Sequence, residues 1–271
     1  MSQVSTDSRA EVNPLAGKVV LVAGAAGAAG PPTVAALASR GATVVAIDNA
    51  ADRLEPVVEA ARAQAAGGGS VEPLVVDLLD ESATREAIGR VPAEHGRIDG
   101  LFHLVGGWRG GKGIVESDLA DWALLHDLLI RTLQHTSRAA HDALVDSGGR
   151  LAIVSTTQAQ TPNANNASYA AAKAAAEAWT LAVADSFAKA AKAGAEKAEE
   201  AEEAGNDGSD ASGAAATVVQ IKALLTDRMR EERPDRKFPG YTHVDDLARE
   251  LVTLFDVPAT ELNGTRRSLT A

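Results

Sequence analysis

The stretch Lys18-Val-Val-Leu-Val-Ala-Gly-Ala-Ala-Gly-Ala-Ala-Gly30 opens as a short apolar, β-branched run and closes as a glycine-rich turn. Such a run suits a strand buried on both faces of a parallel sheet. A helix should follow. Pro31 and Pro32 stand where a first helical turn tolerates proline, Val34, Leu37 and Ala38 have helical spacing, and Gly41 marks a stop. Working outward, strands are predicted over 42–47, 71–76, 98–105, 150–154, 217–221 and 267–270, and helices over 52–66, 82–91, 119–145, 169–192 and 244–255. Strands alternating with helices imply right-handed βαβ crossovers. The fold expected is therefore α/β: a Rossmann-type, doubly wound parallel sheet with helices on both faces, in a single domain.

At 271 residues and 45% hydrophobic composition, the chain can bury a full core. Its apolar runs are short and glycine-broken, and none approaches the roughly 20 residues that a membrane-spanning helix requires. Residues 1–14 read as a flexible tail without a signal-peptide core, and residues 15–271 as the domain. An Ala/Lys/Glu-rich helical extension and a Gly/Ser/Asp loop at about 188–216 read as an insertion. With no cysteine, disulfides, thiolate nucleophiles and Cys-ligated metals are excluded, and the cytoplasm is the expected compartment. A formal charge of −11 without a basic patch argues against nucleic acid as a partner. His103, His126, His135 and His141 are scattered without ligand spacing, so no metal site is expected.

The glycine turn is the first candidate site. Gly24, Gly27, Ala28, Ala29 and Gly30 let the backbone approach a pyrophosphate, with a helix N-terminus behind them. Asp48 ends the second predicted strand about twenty residues on, where a carboxylate accepts hydrogen bonds from the adenosine ribose. That carboxylate also repels a 2′-phosphate. NAD is accordingly favoured over NADP, with Arg53 nearby as the feature that keeps NADP open. Tyr169 and Lys173, four residues apart on a predicted helix, share one face.

Together these motifs resemble the short-chain dehydrogenase/reductase family. Ala23-Gly24-Ala-Ala-Gly-Ala28-Ala-Gly30 matches its Thr-Gly-x-x-x-Gly/Ala-x-Gly turn with alanine in place of threonine, and Asp77-Leu78 matches its adenine-contacting pair. Where the family has Asn-Asn-Ala-Gly after the fourth strand, the chain reads His103-Leu-Val105-Gly106. Tyr169 and Lys173 fall on the Tyr-x-x-x-Lys motif, and the serine expected thirteen positions earlier is Thr156, with Ser155 beside it. Thr226 matches a threonine that contacts the nicotinamide, although the preceding Pro-Gly is lost, and Leu129 replaces the usual relay asparagine.

The resemblance implies an NAD(P)-dependent oxidoreductase, assembled as a homodimer or homotetramer, that interconverts a carbonyl and an alcohol on a small, cyclic substrate. It implies Tyr169 as general acid/base, Lys173 drawing the phenol down from its ordinary pKa of roughly 10, and a hydroxyl at 156 or 155 polarising the substrate oxygen. Val105 and Gly106 would border the cofactor. Gly106-Gly-Trp-Arg-Gly-Gly111 resembles a loop of the dihydropteridine reductases, so Trp108 either stacks on a flat substrate or serves as an apolar lid residue. The departures leave two alternatives open: a silent nucleotide-binding sensor on the same fold, or a quinonoid reductase.

Overall fold

The computed structural model describes residues 13–203 and 213–270. Residues 1–12 of the expected tail and 204–212 of the expected insertion lie outside the described residues. The chain runs β1 (Val19–Ala23), α1 (Gly30–Ala38), β2 (Thr43–Asp48), α2 (Ala51–Arg62), β3 (Ser70–Val75), α3 (Glu81–His95) and β4 (Gly100–His103). It continues through α4 (Leu119–His126), α5 (Thr132–Ser147), β5 (Arg150–Thr156), α6 (Ala167–Glu203) and β6 (Ala215–Ile221). A small excursion follows, β7 (Leu224–Leu225), α7 (Asp227–Glu232) and β8 (Thr242–His243), before α8 (Val244–Thr253), α9 (Ala259–Leu262) and β9 (Arg266–Ser268).

Seven strands form one sheet in the order β3-β2-β1-β4-β5-β6-β9, every pairing parallel. β7 and β8 pair separately. The alternation of side chains along β1 explains the two cores. Val20 and Val22 pack with Val34, Leu37, Leu54, Leu247 and Leu251 under α1, α2 and α8. Val19 and Leu21 point the other way, into a layer with Ile88, Leu133, Leu144 and Phe187 under α3, α5 and α6. The doubly wound sheet expected from the sequence is what forms. Strand order reverses between β1 and β4, and in open α/β sheets ligands collect at that point, beyond the carboxyl ends of the strands.

The helix expected over 119–145 runs continuously from Leu119 to Ser147, with a π-helical turn inside it. That turn, at Asp127–Arg131, joins α4 to α5, and the Thr132 N–H donates to the Asp127 carbonyl five residues back. A turn of that kind widens the helix by one residue. β6 begins at Ala215 rather than 217, because Ala215 and Ala216 already pair with Arg150 and Leu151 of β5. Among the described residues, no helix is long and apolar enough to cross a membrane.

Phe102 is fully buried on the four-residue β4, its ring 5.7 Å from that of Phe255. Phe102→Ala should therefore destabilise the protein by roughly 3–5 kcal/mol, read as a shift in urea midpoint.

Candidate active site

The β1 turn is shaped by one close approach. Gly24 has φ +81°, and a Cβ there would lie 2.8 Å from the Val105 nitrogen and 2.9 Å from the Leu104 carbonyl carbon. Only glycine lets the chain leaving β4 pass this near, where the Leu104 N–H donates to Ala23 O at 2.8 Å. The Ala26 N–H is taken by Asp48 Oδ2 at 3.1 Å, and those of Gly27 and Gly30 close the turn on Gly24 O and Gly27 O. The Ala28 and Ala29 N–H groups make no hydrogen bond among the described residues, and Pro31 and Pro32 have none to offer. Two free donors at the start of α1, beside a cradle that a Cβ would fill, fit a pyrophosphate.

The turn forms one end of a cleft of about 1010 Å³ that spans the carboxyl ends of the strands. Gly24, Gly27, Ala28, Ala29, Asp48, Asp77, Leu78, Val105, Gly106 and Trp108 all line it, as do Ser155, Thr156, Tyr169 and Lys173. Two expected residues do not. Gly30 sits behind the turn, where a Cβ would be 2.1 Å from Ala25 O, and Thr226 caps α7 by accepting from the Met229 N–H at 3.2 Å. At the adenosine end Asp48 is held by the Ala26 and Ala50 N–H groups and pairs with Arg53 at 3.4 Å.

At the other end α6 delivers Tyr169 and Lys173 to the same wall, the ammonium 6.0 Å from the phenol ring centroid. Lys173 Nζ donates to Val154 O at 2.6 Å. Burial pulls the Lys173 ammonium down to about 8, with the carboxylate of Glu177 acting in the opposite sense. Burial also pushes the Tyr169 phenol up to about 12. This corrects the expectation that Lys173 draws the phenol down: the ammonium is turned to a backbone carbonyl, and loss of hydration decides the direction.

Ser155 and Thr156 are separated by their partners. The Ser155 hydroxyl donates to Glu177 Oε1 at 2.5 Å. Thr156 Oγ1 accepts from the Gln158 N–H at 3.4 Å, and its own proton has no acceptor among the described residues. Glu177 gathers further donors, Gln160 Nε2 at 2.5 Å and Arg266 Nε at 2.7 Å. Burial works to raise this carboxyl, and those donors outweigh it and hold it below the ordinary range.

His103, expected to be packed at a strand end, is buried between Thr132 Oγ1 and Thr136 Oγ1, each 3.1 Å from a ring nitrogen. Burial, assisted by the Lys173 charge, pulls it down to about 3, so it is neutral at physiological pH. Sequence reasoning missed Gln158, whose buried amide oxygen has no partner among the described residues, and Asn166, Lys222 and Tyr241, all on the cleft wall; Arg233 and Arg236, which the sequence suggests as part of a mixed-charge, solvated lid over 226–243 rather than an anion-recognition site, line the same wall. Asn166 could have been found from its place one helical turn before Tyr169. Among the described residues no cluster of His, Asp or Glu could hold a metal.

Comparison with known proteins identifies the family. Residues 18–191 match the family described as short chain dehydrogenase, and the chain belongs to that family. Its members use nicotinamide dinucleotide cofactors. The chain is 31% identical over 165 residues to the 2,3-dihydro-2,3-dihydroxybenzoate dehydrogenase of Bacillus subtilis, a match covering 60% of the chain and 62% of that protein. It thus spans less than two thirds of that relative. It is 30% identical over 179 residues to the cis-4-hydroxycyclohexanecarboxylate dehydrogenase of Sinomonas cyclohexanicum, covering 63% and 68%. A short-chain dehydrogenase/reductase from Mycobacterium ulcerans shares the fold with a TM-score of 0.78 at 20% identity, over 94% of this chain and 89% of that one.

The Lys173 shift has a consequence for stability. The unfolded chain keeps its proton up to 10.5 while the folded one releases it at about 8, so the burial penalty is complete below pH 8 and is relieved as pH rises to 10.5. Lys173→Met should raise stability at pH 7 by on the order of 2–3 kcal/mol. The gain should shrink as pH climbs through that window in denaturant titrations.

Proposed function

We propose that the chain is a cytoplasmic, NAD-dependent oxidoreductase that interconverts a carbonyl and an alcohol on a small, cyclic substrate, with Tyr169 as the proton-exchanging group. The observation that carries this reading is the convergence of Tyr169, Lys173 and Thr156 on one cleft wall, at the strand-order reversal, within a cleft whose far end holds the glycine turn and Asp48. Both curated relatives are named for cyclic alcohols, which supports the substrate class.

Bound nicotinamide supplies or takes up the hydride. The chain's own part is to hold the proton and place the oxygen. With its phenol pushed up to about 12, Tyr169 carries its proton throughout the physiological range and is ready to donate to a carbonyl oxygen. Thr156 Oγ1, with an uncommitted proton, is the second donor to that oxygen, whereas the Ser155 proton is spent on Glu177. In the alcohol-oxidising direction the phenol must lose its proton. Lys173 Nζ is the nearby cation that favours the phenolate once it turns from Val154 O.

The Ala28 and Ala29 N–H groups take the pyrophosphate, and Asp48 takes the adenosine ribose. Asp48 is 8% exposed and fixed by two backbone donors, so its charge faces that position without freedom to withdraw. This favours NAD. Leu119, Trp122 and Leu124 stay exposed on α4, which supports association into a homodimer or homotetramer.

Fluorescence titration with NADH and NADPH, followed by a panel of cyclic alcohols and ketones, tests the reading. NADH should bind more tightly than NADPH, and Tyr169→Phe should lose on the order of a hundredfold or more in turnover while keeping NADH affinity. Tight NADH binding with no turnover on any panel, unaltered by Tyr169→Phe, would instead identify a nucleotide sensor.

A further inference from the structure

The wall of the cleft contributed by residues 221–241 is cationic. Of the side chains this segment turns toward the cleft, Lys222, Arg233 and Arg236 carry positive charge and none carries negative charge. Two of the segment's four carboxylates are paired, Glu232 with Arg228 and Asp227 with Arg230 and His243, and the other two, Glu231 and Asp235, are exposed and do not line the cleft. Arg233 and Arg236 make no ion pair among the described residues.

The geometry around Arg236 keeps its fork available. Its guanidinium lies 5.3 Å from the Phe238 ring and donates to the Tyr241 hydroxyl at 3.4 Å, contacts that steady the group without neutralising it. Lys222 Nζ donates to Pro239 O at 2.8 Å, so the loop that carries Arg236 is tied back to the end of β6. In a chain of net charge −11 this wall is a local inversion of sign. A guanidinium fork matches the planar geometry and charge of a carboxylate, whereas a neutral alcohol offers it a single uncharged acceptor. Apolar surface from Trp108 and Met229 lines the same cleft and suits the ring of such a molecule.

We propose that Arg233 and Arg236 bind a carboxylate of the substrate, so that the reacting alcohol or ketone belongs to a cyclic carboxylic acid. The proposal rests on the dehydrogenase reading of the cleft. It adds to that reading a specificity element outside the groups that exchange the proton.

A binding experiment separates the two. With the protein saturated by NADH, cyclohexanecarboxylate and its methyl ester are titrated against the wild type and against Arg233→Gln/Arg236→Gln. Both positions are exposed, and thermal unfolding verifies that the variant is folded. The acid should bind at least roughly tenfold more tightly than the ester in the wild type, and the variant should lose that preference with NADH affinity unchanged. Arg233→Lys/Arg236→Lys, which keeps the charge and loses the fork, should recover only part of the preference. Three results overturn the proposal: no preference for acid over ester, a preference that survives in the glutamine variant, or a loss confined to NADH affinity, which would assign the arginines to the cofactor pyrophosphate. If the preference follows the arginines while no hydroxy acid is turned over, carboxylate recognition stands and the oxidoreductase reading falls.

Discussion

A buried ammonium organises the reactive end of this molecule. Lys173 is 9% exposed, donates to Val154 O, and has no carboxylate in direct contact among the described residues. Removing an ammonium from water is unfavourable unless neighbouring charge and dipoles replace the lost hydration. Glu177, one helical turn further along α6, supplies that charge without quenching the lysine, because its own oxygens are occupied by Ser155, Gln160 and Arg266. Those three donors come from β5, from the turn after it and from β9. Helix α6 is thereby fixed to two strands and a turn about two helical turns beyond Tyr169, and that anchoring helps to set the position of the phenol.

The opposite end depends on close backbone approach rather than on charge. Gly24 brings the first turn against the chain leaving β4, and Asp48 is drawn toward the same turn by the Ala26 N–H. The cleft is therefore framed by two rigid ends with different chemistry. In the function proposed above, backbone donors and Asp48 would face the dinucleotide at the first, and a phenol, a hydroxyl and a low-pKa ammonium would face the substrate at the second. The segment after β6 adds Arg233 and Arg236 to the wall of the same cleft.

Much of this was legible in the sequence because it is local. A β-branched run before Gly24, proline at the head of α1, and Tyr169 four residues before Lys173 are each set by spacing within one or two turns of chain. Asp48 could be placed by counting from the glycine turn. The parts that were not legible are those in which distant residues decide. His103 meets threonines 29 and 33 residues away across a π-helical turn, and Glu177 meets Arg266 at a separation of 89. Adjacent hydroxyls on β5 were both candidates, and only the position of Glu177 distinguishes Ser155 from Thr156. The direction of the Tyr169 pKa was read from its nearest charged neighbour, yet it is governed by desolvation, a property of the assembled fold. Thr226 matched a motif, but the short α7 uses its hydroxyl as a cap.

We propose that burial holds the Tyr169 phenol high and that Lys173 lowers it once a dinucleotide is bound. With two tyrosines in the chain, Tyr241→Phe leaves Tyr169 as the sole phenol, and its ionisation can be followed by ultraviolet difference absorption. In the free protein the titration should centre near 12, and saturation with NAD should bring it down in the Lys173-containing protein but not when Lys173→Met is added. A midpoint indifferent to NAD, or one that falls equally without the lysine, would contradict the account.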